Sequence, residues 1–312
     1  MSKNISRRSF IKQGVAFSAS SILFFNFRQK VYSSQAAVTP DISIISGNDY
    51  YKNTVEAVIR LGGMKKFISK GSKVAVLANP QRPNPGAFTS PLVASAVTSM
   101  CLEAGASSVT FISWLPVKSW EATGLKEAVE KAGAKLEVVD LRDESFFMPV
   151  VVPHGKILRE ARVMKKLFEH DHLINVPVTK DHIGNKFTGT MKNLMGLNSP
   201  VSNRTFHKSD WKTNRESIIH LDQSIADLNT VITPSLSIAD ATEFIITNGP
   251  FGPGELIKPR KVIAGTDRIA IDSYCCSLWG LKPEDIVMIK KGYEHGLGNM
   301  DLSSMKISEI SI

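Results

Sequence analysis

KVAVLANPQRPNPGAFTSPLVASAVTSMCLEAGASSVTFISW, residues 73–114, decides how the chain folds. KVAVLAN (73–79) is a continuous apolar run of strand length, the pattern of a strand buried on both faces. The Pro-rich loop PQRPNPGAFTSP breaks it, and Thr89–Ser90 can cap the helix PLVASAVTSMCLEAGA that follows. SVTFISW is again an apolar strand. A strand, a helix and a second strand buried on both faces make a βαβ unit, and hence a parallel sheet.

Outward from this unit the alternation continues. GLKEAVEKAGA reads as a helix and KLEVVD as a strand, with further strands at 148–152 and in HLINVPV (172–178). Upstream, DISIIS (41–46) is a strand, and YYKNTVEAVIRLGGMKKFI is a helix that Gly62–Gly63 can break. The second half places a helix near 214–228, then NTVITPSLSIAD, the glycine-rich TNGPFGPGE and the strand KVIAGT. Two helical patterns follow, DRIAIDSYCCSLWG with Thr266–Asp267 as its N-cap and PEDIVMIKKGYEHG opened by Pro283, before a last strand MKISEISI. We expect an α/β protein, a mostly parallel sheet covered by helices on both faces. Its two intimately joined lobes are expected at 37–200 and 201–312, with candidate site loops in the first.

The chain has 312 residues and a formal charge of +9, of which residues 1–36 supply six positive charges and no acid. The remaining +3 or so is scattered, which argues against a nucleic-acid partner. SRRSFIKQG, then the apolar VAFSASSILFF and the small residues SSQAA, form a basic, apolar and cleavable succession. Arg7–Arg8 with Phe10 and Lys12 makes residues 1–36 a twin-arginine signal, and the expected location periplasmic. An apolar run this short falls below the ~20 residues of a transmembrane helix, so membrane contact is expected only through the signal before cleavage. Proteins exported by this route travel folded, often with a cofactor already bound. Cys101, Cys275 and Cys276 sit in apolar helical segments without CxxC spacing, so no iron–sulfur cluster held by this chain alone is expected.

The chemistry-bearing residues gather in few places. TKDHIGNKFTGTMKNLMGL (179–197) follows an apolar strand and carries His182 and Lys192 ten residues apart across a Gly/Thr-rich turn. A histidine there can be an acid, base or metal ligand, and a buried lysine can become a nucleophile or cofactor anchor. His207 lies fifteen residues beyond Lys192 and is the candidate metal ligand. Arg82 is the one cation of the Pro-rich loop. With Thr89, Ser90 and Asn193 it makes the candidate substrate-binding set, since ligands of open α/β sheets lie beyond strand C-termini. TNGPFGPGE (247–255) supplies Asn248, Gly249, Gly252 and Gly254, either as a close backbone approach to a ligand or as a surface turn. Asp267 caps a helix, whereas Asp272 lies in an apolar helix and needs a partner the sequence does not name.

LANPQRPNPGAFTSP, LINVPVTKDHIGNKFTGTMKNLMGL, TNGPFGPGE, AGTDRIAIDSY and EHGLGNMDL resemble the domain-of-unknown-function 362 family, over about residues 70–311. Members of that family include exported proteins and proteins fused to ferredoxin-like clusters; that extension is absent here. The order of an Arg-Pro loop, a histidine and a lysine ten residues later is also similar, more distantly, to nickel-pincer lactate racemases. That likeness implies Lys192 as the tether of a pincer nucleotide, His182 as acid/base, His207 near the nickel-ligand position and Arg82 on the substrate carboxylate. SWLPVKSW, at the end of the strand SVTFISW, lacks the second catalytic histidine of that family. Two functions are therefore expected in competition. One is a cofactor- or metal-dependent isomerase or oxidoreductase acting on a small anionic metabolite. The other is a non-catalytic partner or maturation factor of a periplasmic redox complex, which predicts an exposed apolar patch and no closed polar pocket around His182.

Overall fold

The computed structural model describes residues 39–312, and Thr39–Ile312 forms one compact unit. The signal expected over residues 1–36 lies outside the described residues. Among the described residues no helix is long and apolar enough to cross a membrane.

The chain enters through β1 (Ile42–Ser46) and α1 (Tyr50–Arg60), which Gly62 and Gly63, both at positive φ, end where the sequence placed the break. The deciding stretch forms β2 (Lys73–Ala78), α2 (Pro91–Glu103) and β3 (Ser108–Ser113). Then come α3 (Val117–Ala122), α4 (Leu125–Lys131) and β4 (Lys135–Val138). A ribbon of β5 (Phe147–Val151) and β6 (Glu160–Met164) leaves the sheet before β7 (His172–Val176) returns to it. The next segment is a small hairpin, β8 (Lys180–His182) and β9 (Lys186–Thr188), running into α5 (Thr190–Asn193). It is followed by α6 (Pro200–His207) and α7 (Arg215–Leu228). The remainder is β10 (Leu236–Ala241), the short pair β11 (Phe244–Ile245) and β12 (Leu256–Ile257), and β13 (Lys261–Gly265). α8 (Arg268–Ser277), α9 (Val287–Glu294) and β14 (Ile307–Ser311) close the chain.

Eight strands form one sheet in the order β14-β1-β13-β10-β7-β2-β3-β4. Only β13 runs against its neighbours; the five other pairings are parallel. Strands from before and after residue 200 share this sheet, so the two halves are joined through its hydrogen bonds. Alternate residues of each strand enter two cores: Ala75 and Leu77 face one, Val74, Val76 and Ala78 the other. That two-sided burial is why the strands read as unbroken apolar runs. Residues of α1, α2 and α4 cover one face, and residues of α5, α7, α8 and α9 the other.

The sheet order places the site. From β2 the chain winds outward through β3 to β4, whereas β7 returns to the opposite side of β2 and leads to β10. The β7/β2 boundary is thus a topological switch point, with a crevice beyond the carboxyl ends of its strands.

Candidate functional site

A cavity of about 700 Å³ opens at that crevice. Its walls come from the residues that follow β2 (Asn79, Gln81) and β3 (Trp114, Leu115), together with the β8–β9 hairpin, α5 and α6. His182, Lys192, Asn193 and His207 all line it. Four of the residues singled out along the sequence therefore meet in one place.

Lys192 is held there by the turn that precedes it. Asp272, fully buried in α8, accepts hydrogen bonds from Thr190 N–H (2.6 Å), Thr190 Oγ1 (2.8 Å) and Met191 N–H (3.1 Å). These are the unpaired donors at the start of the turn carrying Lys192, so the partner that Asp272 needed is the anchor of the functional segment. Burial raises its pKa to about 6, against the pull of those hydrogen bonds and the Arg268 charge. Gly189 is obligatory beside it, because a Cβ would run into Asp272 Oδ1 and the Phe187 ring.

The lysine is 8% exposed, and among the described residues the only partner of its Nζ is the Met195 sulfur, 3.9 Å away. Burial lowers its pKa, and the buried carboxylate of Asp222 opposes the shift. Asp222 accepts from Asn185 Nδ2 (2.9 Å) and Met288 N–H (3.1 Å), and burial raises its pKa. The two titrate as a pair. A second lysine, Lys180, is wholly buried two residues before His182, on the same face of β8. Its Nζ donates to Ala87 O at 2.6 Å, and burial, then the Lys192 charge, lowers its pKa to about 7.

Both histidines are set up as neutral bases. His182 Nδ1 lies 2.8 Å from Ile183 O, and His207 Nδ1 lies 2.8 Å from Asn203 O. A carbonyl only accepts, so each Nδ1 carries the proton and each Nε2 presents a lone pair. Burial first, then the Lys192 charge, holds His182 well below its usual pKa and brings His207 to about 4. Trp211 joins the pair, with ring centres 5.2 Å from His182 and 4.9 Å from His207. Committed Nδ1 and free Nε2 suit either proton transfer or metal ligation. Among the described residues no group of three or more His, Cys, Asp or Glu converges on a metal position.

The remaining candidates lie elsewhere. Arg82 is exposed, and its guanidinium lies over Phe251, 5.4 Å from the ring centre, outside the cavity lining. Thr89 closes its own loop, accepting from Asn79 N–H (3.0 Å) and donating to Val176 O (2.9 Å). Ser90 N–H donates to Asp240 Oδ2 (2.6 Å). Asn193 lines the cavity, but its Nδ2 is engaged by Asn175 Oδ1 (2.8 Å) and Leu77 O (3.2 Å). The TNGPFGPGE segment makes its close approach to the β8–β9 hairpin. Gly249 N–H donates to Asp181 Oδ2 (2.8 Å), Asn248 Nδ2 reaches Pro253 O (3.1 Å), and Gly254 packs on Thr247 O. Gly252 sits at φ +65° against Asn84, and Pro250 is the segment's contribution to the cavity lining. Asp267 caps α8 through Ala270 N–H (2.9 Å) and also holds Asn299 N–H (2.8 Å).

Sequence reasoning missed Lys180, Asp222 and Trp211. The first two left a signal: Lys180 shares the strand face of His182, and Asp222 interrupts an apolar helix much as Asp272 does. Trp211 left none. Trp120, six residues after the cavity-lining Trp114, is core, 0% exposed and edge-on to Phe111.

The chain is 25% identical over 261 residues to a thylakoid-associated protein of Synechocystis sp., covering 78% of this chain and 76% of that one. Among solved structures it is similar to a Thermotoga maritima protein (TM-score 0.43, 14% identity, 62% of this chain and 51% of that one). It is also similar to the lactate racemase apoprotein of Thermoanaerobacterium thermosaccharolyticum (TM-score 0.45, 15% identity, 72% and 53%). The chain spans about half the length of these two solved proteins. A family model, described as a domain of unknown function (DUF362), matches residues 73–277 and so takes in the sheet's switch point and all four converging residues: the chain belongs to the DUF362 family.

Proposed function

We propose that the protein is an exported enzyme acting on a small anion, in which Lys192 receives the anion or anchors a cofactor and His182 moves a proton. One observation carries this reading: a buried lysine whose amine lacks an oxygen partner, on a cavity flanked by two neutral imidazoles with free Nε2 atoms. Leaving such an amine unpaired is costly, and an incoming carboxylate or phosphate relieves the cost. Burial of His182 keeps its imidazole neutral, and so a base, near neutral pH. The convergence of His182, Lys192 and His207 on one cavity supports the enzyme over a non-catalytic redox partner. Export to the periplasm rests on the twin-arginine pattern of residues 1–36.

The residues present also suit a nickel-pincer group in kind. Lys192 Nζ is a buried amine shifted toward its neutral, nucleophilic form, and His207 Nε2 is an unengaged donor. Lys192 would hold the tether and His207 would ligate the nickel; when bound, such a group supplies a reversible acceptor for the hydrogen of the substrate carbon. Trp114 and Leu115 occupy the wall after β3, where the racemases place a second histidine, so proton transfer falls to His182 alone.

Protein purified natively from the periplasm should be examined by intact mass and elemental analysis beside Lys192→Ala. A covalent adduct or stoichiometric nickel that disappears in the variant supports the cofactor reading. Anion binding that needs Lys192, on an unmodified metal-free chain, supports direct anion capture. Unmodified mass, no metal and no Lys192-dependent anion binding would refute the enzyme reading altogether.

A further inference from the structure

We propose that Arg204 and Lys208 form an outer anion subsite at the cavity mouth, so that the ligand carries a second anionic group beyond the one Lys192 receives. The inference rests on Lys192 as the inner anion site. It starts from α6, whose Pro200, Asn203, Arg204 and His207 all line the cavity. Their spacing (i, i+3, i+4, i+7) is a single helical stripe, the position that normally carries apolar residues to a core. Here that stripe faces an open cavity with polar and basic groups.

The chain then keeps Lys208 and Ser209 on the cavity by a strained step. Lys208 ends α6 at φ +46°, a left-handed value that side chains with a Cβ adopt at a cost of about 1 kcal/mol. No Asp or Glu is among the residues lining the cavity. Among the described residues neither Arg204 nor Lys208 forms an ion pair, whereas Lys126, Lys166 and Lys291 do. Two unpaired cations at an acid-free mouth focus a positive field on whatever enters.

Burial separates the two charge centres by depth, with Lys192 inside and Arg204 and Lys208 exposed. Trp114, Leu115, Met195 and Pro200 supply the apolar lining. A volume of about 700 Å³ suits a drug-sized ligand, of a scale at which roughly 300–1,000 Å³ is usual, and far exceeds a three-carbon acid. The ligand class is therefore an elongated anion with an inner carboxylate or phosphate, a flat or apolar body, and an outer phosphate or carboxylate.

Calorimetric titration of the full chain with five probes tests this. Benzoate and phenyl phosphate carry one anionic group; benzene-1,4-dicarboxylate, biphenyl-4,4′-dicarboxylate and 4-carboxyphenyl phosphate carry two. At least one two-ended probe should bind about tenfold tighter than its one-ended counterpart. The double variant R204Q/K208Q should erase that gain and move benzoate by less than about twofold. Preference for the phosphate or for the dicarboxylates identifies the outer group. The proposal is overturned if benzoate binds and no two-ended probe gains, or if the double variant weakens benzoate as much as the two-ended probes. Benzoate binding unchanged in Lys192→Met refutes the inner-site reading instead.

Discussion

Asp272→Ala should cost the protein several kcal/mol and loosen Lys192, because one carboxylate ties α8 to the turn bearing that lysine. Three donors lose their acceptor: Thr190 N–H at 2.6 Å, Thr190 Oγ1 at 2.8 Å and Met191 N–H at 3.1 Å. The hydroxyl has a second acceptor, Arg268 O at 3.1 Å, and can turn to it. The two amides, fully enclosed with their residues, have no alternative. At about 1–3 kcal/mol for each buried unsatisfied amide, the loss is about 2–6 kcal/mol. Asp272→Asn keeps one carbonyl acceptor and points an amine at the other donor, for about 1–3 kcal/mol. Urea unfolding followed by tryptophan fluorescence measures both. The two variants should also differ in pH dependence. Asp272 has a folded pKa of about 6 against 3.8 unfolded, so folding binds its proton more tightly. That contribution is whole below pH 3.8 and is lost as pH rises through about 6. The wild type should therefore lose roughly 3 kcal/mol relative to Asp272→Asn between pH 4 and 7. A cost for Asp272→Ala below about 1 kcal/mol would show that the carboxylate does not anchor the turn, and parallel pH profiles would show that burial does not raise its pKa.

Two further outcomes follow from the same geometry. Gly189→Ala should destabilise by about 1–3 kcal/mol, since its Cβ meets Asp272 Oδ1 and the Phe187 ring, and urea midpoints read this directly. His207 has a folded pKa of about 4 against 6.5 unfolded, so its contribution is whole above pH 6.5 and is lost as pH falls toward 4. His207→Gln should remove up to roughly 3 kcal/mol of that acid slope; an unchanged slope between pH 6.5 and 4 would mean the ring is not buried neutral.

Why some of this was legible in the sequence is a matter of which residues advertise their surroundings. β2 and β3 could be read because burial on both faces leaves only apolar residues to choose from. The place of His182 and Lys192 at one cavity could be read because polar residues that follow an apolar strand into a glycine turn gather at the carboxyl ends of the sheet. Arg82 misled because a cation beside prolines looks like an anion receptor, when its guanidinium lies against Phe251. α6 was invisible for a different reason. Its inward stripe of Pro200, Asn203, Arg204 and His207 faces a cavity, so it lacks the apolar periodicity by which helices are recognised. The same absence that hid the helix is what places polar and basic side chains on the cavity.

The charges of this site are arranged against stability. Lys180, Lys192, Asp222 and Asp272 are each 8% exposed or less, and burial shifts each toward its neutral form. Apolar residues of similar volume in such positions are commonly neutral or stabilising by about 1–4 kcal/mol. Three of the four have oxygen or nitrogen partners that account for their presence: Lys180 holds Ala87, Asp222 holds Asn185 and Met288, and Asp272 holds Thr190 and Met191. Lys192 has only a sulfur at 3.9 Å. The scaffold around it is thus satisfied while the lysine is not, and Asp222 opposes the effect of burial on its charge without hydrogen-bonding to it. A buried lysine whose donors lack an oxygen partner is where the chain departs from what packing alone would select, and the proposed anion site rests on that departure.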